Sequence, residues 1–137
     1  MKIKLEPGSY LPERAHDDDA GLDLRTTEDV MLWPGMSHCF DTGVHMAIPK
    51  GYFGKIESKS GLNVKHGVVS CGGTIDSGYT GSIVVKLYNL GEKGYLFRAG
   101  DKIAQIVIQP CIAPELELVS VLDETERGDG GFGSTGR

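Results

Sequence analysis

Cysteine is scarce in this chain and poorly spaced for structural work. Cys39, Cys71 and Cys111 form no CxxC pair and no Cys/His metal spacing, which argues against a disulfide framework or a structural zinc site. They are expected as buried, reduced thiols. Long apolar runs are missing too, and nothing approaches the ~20 residues of a membrane-spanning helix. The opening Met1-Lys2-Ile3-Lys4-Leu5 alternates instead of forming the apolar core of a signal peptide, so the expected location is cytoplasmic. Positive charge is short as well: 14 Lys+Arg face 19 Asp+Glu, for a formal charge of -5. Binding to nucleic acid by general charge attraction is therefore not expected, and any phosphate must meet a local device. Helical periodicity is the last absence, since no window sustains apolar spacing of three and four across a dozen residues.

Glycine is what the chain has in excess. Its 20 glycines in 137 residues are about twice the usual ~7%, a mark of turns and close backbone approaches. Extended runs are predicted at 2–5, 30–33, 37–45, 52–58, 67–71, 83–89, 95–98, 102–109 and 116–121, with one helical turn near 61–65. Turn residues such as Trp33-Pro34-Gly35 and Ala99-Gly100-Asp101 separate them. The run 102–109 is apolar on both faces and reads as a central strand. Many short strands in one domain imply an all-β sandwich, jelly roll or barrel. Beyond Val121 the composition changes, with five glycines among the last ten residues, 128–137. Such a segment is costly to order. It reads as a frayed terminus or, given its Arg, Phe and hydroxyls, as a flexible lid.

Four further clusters carry chemical interest. Asp23 sits between Leu22 and Leu24, which predicts a strand with the leucines inward and the acid outward, most simply a surface acid. Lys59, Ser60 and Gly61 precede the helical turn, where hydroxyls and a cation suit an anion. Gly72-Gly73-Thr74-Ile75-Asp76-Ser77-Gly78-Tyr79 combines bare main chain, a carboxylate and a ring. That stretch fits a ligand cleft or a plain hairpin with an aspartate in its turn. Gln105, polar in an apolar strand, either finds partners internally or points at a ligand. The acidic run from His16 to Asp19 is a weak metal candidate, and His38, His45 and His66 match no ligand spacing and read as surface or strand residues.

Taken in order and spacing, these clusters and the tail Arg127-Gly128-Asp129-Gly130-Gly131-Phe132-Gly133-Ser134-Thr135-Gly136 resemble the trimeric deoxyuridine triphosphatases (dUTPases). The resemblance runs from Ala20 to Gly136. It implies a jelly-roll-like β-barrel over residues 1–122 with a flexible glycine-rich arm over 123–137, assembled as a homotrimer with sites shared between subunits. It also implies Mg²⁺-assisted hydrolysis of dUTP to dUMP and pyrophosphate, limiting uracil in DNA and supplying dUMP for thymidylate synthesis. By position Asp76 is the base that activates water, Tyr79 packs on the deoxyribose, and Gly73, Thr74 and Ile75 read uracil through main-chain atoms. Lys59, Ser60, Gly61 and Gln105 fall at phosphate contacts, and Asp23 at the acid that meets the metal through water. Arg127, Phe132, Gly133, Ser134 and Thr135 fall in the arm, Phe132 over the base. One departure is Lys59, where the family usually has Arg; Lys lacks the bidentate fork, so weaker phosphate orientation is expected.

The chemistry agrees with that expectation. One carboxylate can serve as general base, and a magnesium ion held mainly by phosphates and water needs no carboxylate cage. The alternatives are a deaminase of the same superfamily, a nucleotide-binding regulator, or a structural jelly-roll subunit. Asp76, Tyr79 and the Phe-bearing arm favour the diphosphatase.

Overall fold

The computed structural model describes residues 1–131. Eleven strands and one short helix follow the turn punctuation closely. They are β1 (Lys2–Leu5), β2 (Gly21–Arg25), β3 (Val30–Leu32), β4 (Ser37–Asp41), β5 (Val44–Ala47) and β6 (Tyr52–Ser58), then α1 (Ser60–His66). After the helix come β7 (Val68–Ser70), β8 (Thr74–Asp76), β9 (Val84–Asn89), β10 (Tyr95–Phe97) and β11 (Lys102–Pro110). All pairings are antiparallel, in the orders β2-β11-β6-β8, β4-β9-β7, β1-β5 and β3-β10. The result is a jelly-roll-like β fold whose described strands form separate sheets around one core rather than a closed hydrogen-bonded barrel.

Alternation along each strand builds that core. Leu24, Phe40, Val85, Leu87, Phe97, Ile103 and Ile106 are all within 1% of complete burial. The rings of Phe40 and Phe97 meet edge to face at 5.2 Å, joining the three-stranded sheet to the β3-β10 ribbon. As expected, β11 is central, flanked by β2 and β6.

Several expectations need correction. The predicted strand 37–45 is two strands, because Thr42 and Gly43 turn the chain. Thr42 is fully buried with its hydroxyl donating to Ile83 O at 2.7 Å, and Gly43 takes φ +63, where a Cβ would lie 1.9 Å from Ser9 Oγ. The three cysteines are exposed, not buried; on β4 it is Phe40 that takes the inward position beside Cys39. The predicted strand 116–121 has no strand partner among the described residues, and Leu116 and Leu118 are 96% and 100% exposed. Among the described residues no helix is long and apolar enough to cross a membrane.

Phe97→Ala removes a fully buried ring and is expected to cost about 3–5 kcal/mol. Val64→Ala, on the outer face of α1 and 83% exposed, should change stability by no more than about 0.5 kcal/mol. Equilibrium urea unfolding of the two variants checks the contrast.

Candidate active site

Strand β6 organises the site residues into two groups, one at each of its ends. Its C-terminal end feeds Ser58 into Lys59 and α1, beside β11 and β2. Here Asp23 stands opposite Gln105, and Gln105 stands opposite Glu57 of β6. Asp23 is only 4% exposed, contrary to the expectation of a surface acid. A carboxylate so placed must be compensated, and two cations do it: Lys59 Nζ bonds Oδ1, and Lys102 Nζ lies 2.6 Å from Oδ2. Burial by itself raises the pKa of Asp23 and is the largest single influence. The hydrogen bonds and charges of Lys102 and Lys59 together outweigh it and hold the carboxyl below its ordinary range.

Lys102 is the member of this cluster to which the sequence reading gave no role. Strict alternation would put it on the face of Ala104, in the core. A bulge between Lys102 and Ala104 shifts the register instead, setting Lys102 opposite Arg25 while Ala104 pairs with Leu24. Both lysines thus reach Asp23. The only written signal is the Gly100-Asp101-Lys102 start of the strand, which carries no mark of a bulge.

Ser60 and Gly61 are exposed at the start of α1, next to Lys59, which is the N-cap residue and makes no side-chain capping bond. A cleft of about 300 Å³ opens between Lys59, Gly61, Lys65, Tyr95 and Lys102. The acidic chain therefore does contain a local cationic surface. Gln105 donates from Nε2 to Ser58 O over 3.4 Å, a long bond that leaves most of its amide capacity free.

The other group runs along β6 toward its N-terminal end, where β8 pairs Thr74 with Lys55 and Asp76 with Phe53. Asp76 is exposed, in a cleft of about 200 Å³ shared with Thr74, Ile75, Tyr79, Ser82 and Val84. That volume falls below the ~300–1,000 Å³ of a complete small-molecule site. Gly73 takes φ +130 and donates no side chain to the gap; a Cβ there would meet Ile56 Cγ1 at 2.9 Å, while its carbonyl accepts from Ile56 N at 3.0 Å. Tyr79 N returns to Asp76 O at 3.0 Å, and the Tyr79 hydroxyl donates to Ser82 O at 2.8 Å. The flanks of this turn belong to different sheets, β8 with β6 and β9 with β4 and β7, so it is not a simple ladder hairpin.

Five residues of β6 separate Phe53, opposite Asp76, from Ser58, about 16 Å at the usual rise per residue, whereas Thr74 and Gly73 lie nearer, beside Lys55 and Ile56. Within one chain the structure brings Asp23, Lys59, Ser60, Gly61 and Gln105 together, and separately Gly73, Thr74, Ile75, Asp76 and Tyr79. Arg127 joins neither; it is exposed, with Nε donating to Gly130 O at 2.8 Å. Phe132, Gly133, Ser134 and Thr135 lie outside the described residues. The acidic run from His16 folds on itself, His16 N donating to Asp19 Oδ2 at 3.0 Å. Among the described residues no group of three or more His, Cys, Asp or Glu side chains is placed to hold a metal ion.

Comparison with known proteins decides the family. The dUTPase family model matches residues 9–136. The chain belongs to the dUTPase family. The deoxyuridine 5'-triphosphate nucleotidohydrolase of Clostridium tetani is 45% identical over 140 aligned positions, covering 100% of this chain and 97% of its own. That of an Anaeromyxobacter species is 48% identical over 133 positions, covering 96% and 90%. Among solved structures, a dUTPase of Staphylococcus bacteriophage 80alpha with dUpNHpp superimposes with a TM-score of 0.89 at 32% identity, covering 99% of this chain and 98% of the other. A dUTPase from phage phi11 of S. aureus, described with a structural Mg(II) ion, gives 0.82 at 31% identity, covering 88% and 96%. The dUTPase resemblance read from the sequence is thereby borne out.

In this dUTPase-family chain the lysine cluster ties stability to pH. Because Asp23 has a lowered folded pKa, its contribution is complete above the ordinary aspartate range and is lost as pH falls through the folded value. At neutral pH Asp23→Asn is expected to cost about 2 kcal/mol, below the ~3–5 of a fully buried pair because Lys59 and Lys102 keep 26% and 38% of their side chains in solvent. Urea unfolding across an acid series should show the gap closing as the pH drops; a constant gap would contradict the ion-pair origin.

Proposed function

We propose that the chain hydrolyses dUTP to dUMP and pyrophosphate, with Asp76 activating the water that attacks the α-phosphate. The working unit in this reading is a homotrimer whose sites combine residues of different subunits. The observation that carries it is the two-ended layout of β6. A triphosphate held at Lys59, Ser60, Gly61 and Gln105 cannot also reach Asp76 of the same chain across about 16 Å, whereas attack needs reacting atoms ~3–3.5 Å apart. The phosphate end of one copy facing the Asp76 cleft of another removes the conflict. The exposed apolar residues Ile112, Leu116, Leu118 and Val121 support this, since they are uncovered within the chain and suit burial against a second copy.

Magnesium fits as the counter-ion of the triphosphate. The phosphate end offers one buried carboxylate, Asp23, already compensated by two lysines. The cluster as a whole is cationic and draws an anionic metal–nucleotide complex rather than a bare ion. Asp23 keeps a lone pair on each oxygen with which to accept from metal-bound water. When bound, magnesium neutralises charge on the phosphates.

The chain's own groups do the remaining work. Lys59 and Lys102 attract the phosphates, with Ser60 and Gln105 orienting them. Main-chain atoms of Gly73, Thr74 and Ile75 read the uracil edge, and the Tyr79 ring packs where a ribose 2′-oxygen would go. Arg127, with Phe132, Gly133, Ser134 and Thr135, completes the site from the arm of residues 123–137. In metabolism this activity limits uracil in DNA and supplies dUMP for thymidylate synthesis.

Asp76→Asn should lower kcat by about 10²–10⁴-fold with little change in affinity for a non-hydrolysable dUTP analogue. Pyrophosphate release from a deoxynucleotide panel, with and without Mg²⁺, is the check. Equal turnover by the variant removes Asp76 from the mechanism, and ammonia release from dCTP would replace the proposed reaction.

A further inference from the structure

Residues 71–73, between β7 and β8, are held by few contacts of their own. Among the described residues their one backbone hydrogen bond runs from Ile56 N to Gly73 O, at 3.0 Å. Gly72 and Gly73 take φ +74 and +130 and carry no side chain, so this main chain is bare and intrinsically free to move. It has to be fixed from its flanks. Thr74 does so on one side, in the ladder with Lys55.

On the other side the fixing group is the Ser58 hydroxyl. Ser58 ends β6 and Ser70 ends β7, strands that belong to different sheets. Ser70 N donates to Ser58 Oγ at 2.9 Å. The Ser58 proton has two acceptors in reach, Ser70 Oγ at 3.1 Å and Ser70 O at 3.4 Å. A hydroxyl offers one proton and two lone pairs, so it accepts from Ser70 and donates to it at once. Both serines are half-buried. The proposed reaction uses neither side chain; Gln105 meets only the Ser58 carbonyl.

We infer that Ser58 is a positioning residue for base recognition. Its hydroxyl clasps the end of β7 to β6 and so fixes the Gly72-Gly73 main chain that follows. This rests on the reading of Gly73, Thr74 and Ile75 as the main chain that meets uracil.

The consequence is selective. Uracil and thymine present the same hydrogen-bonding edge and differ by one methyl group. Fixed backbone rejects that methyl by a clash, whereas backbone that can move gives way to it. Asp76 is secured separately by the β8–β6 ladder, and Lys59 by Asp23. Loss of the Ser58 hydroxyl therefore loosens base reading and spares water activation and phosphate binding.

The test compares wild type, Ser58→Ala, Ser58→Thr and Ser70→Ala by pyrophosphate release from dUTP, with dTTP as a competing ligand read by its inhibition constant. Ser58→Ala should raise KM for dUTP about fivefold, the effect of losing a hydrogen bond, and keep kcat. The preference for dUTP over dTTP should fall by about the same factor. Ser58→Thr keeps the hydroxyl and should restore both values. Ser70→Ala leaves the bond from Ser70 N in place and should stay within about twofold of wild type. Inorganic pyrophosphate has no base and should inhibit all four proteins equally. An unchanged preference in Ser58→Ala, a threonine variant no better than alanine, or a matching loss of pyrophosphate inhibition overturns the inference.

A second measurement needs no turnover. Without nucleotide, amide hydrogen exchange over residues 70–74 should lose about fivefold protection in Ser58→Ala and none in Ser58→Thr. Equal exchange in wild type and Ser58→Ala overturns the inference. Absence of dUTP hydrolysis in wild type would overturn the functional reading instead, and the exchange result still decides whether Ser58 fixes this main chain.

Discussion

The ladder on both sides of β6 is the constraint on which the rest depends. Pairing with β11 fixes Gln105 beside Glu57, and pairing with β8 fixes Asp76 opposite Phe53. A strand is stiff along its length, so the distance between its ends cannot be absorbed by side-chain motion. In the reading proposed above, two half-sites on one chain are the consequence. In the proposed reading the Asp76 cleft, at about 200 Å³, is too small to hold a nucleotide triphosphate alone, so that assembly becomes part of the chemistry.

Charge is handled locally rather than globally. The chain is net acidic, yet Lys59, Lys65 and Lys102 line one cleft. Placing lysines together is unfavourable unless something opposes them, and Asp23 does so from a buried position between two of them. The arrangement keeps both cations ordered before ligand arrives. It also bears on the lysine at position 59, which lacks a guanidinium fork but has its ammonium anchored on a fixed carboxylate.

Much of this was legible in the residues, for physical reasons. Alternation and turn chemistry placed eight of the nine predicted runs on strands, one of them covering two, because burying one face of a strand leaves a period of two in the text. The order and spacing of the motifs carried the dUTPase resemblance, and the resemblance supplied the candidate site residues, but not their division into two groups. What stayed hidden depends on pairing. The bulge that turns Lys102 toward Asp23, the split at Thr42 and Gly43, and the burial of Asp23 are all set by neighbouring strands. The exposed segment around Leu116 and Leu118 reads as a strand in sequence because it has the pattern of one; the pattern does not say which chain supplies the partner.

The most direct test of the split site is complementation. Asp76→Asn and a Lys59→Ala/Gln105→Ala double variant, each inactive alone, would be unfolded together, refolded and assayed for pyrophosphate release from dUTP. If each site joins the two ends of β6 from different copies, random mixing in a trimer restores about a quarter of wild-type activity. Activity no higher than that of the separate variants would mean that one chain holds both ends of its own site, and would contradict the account.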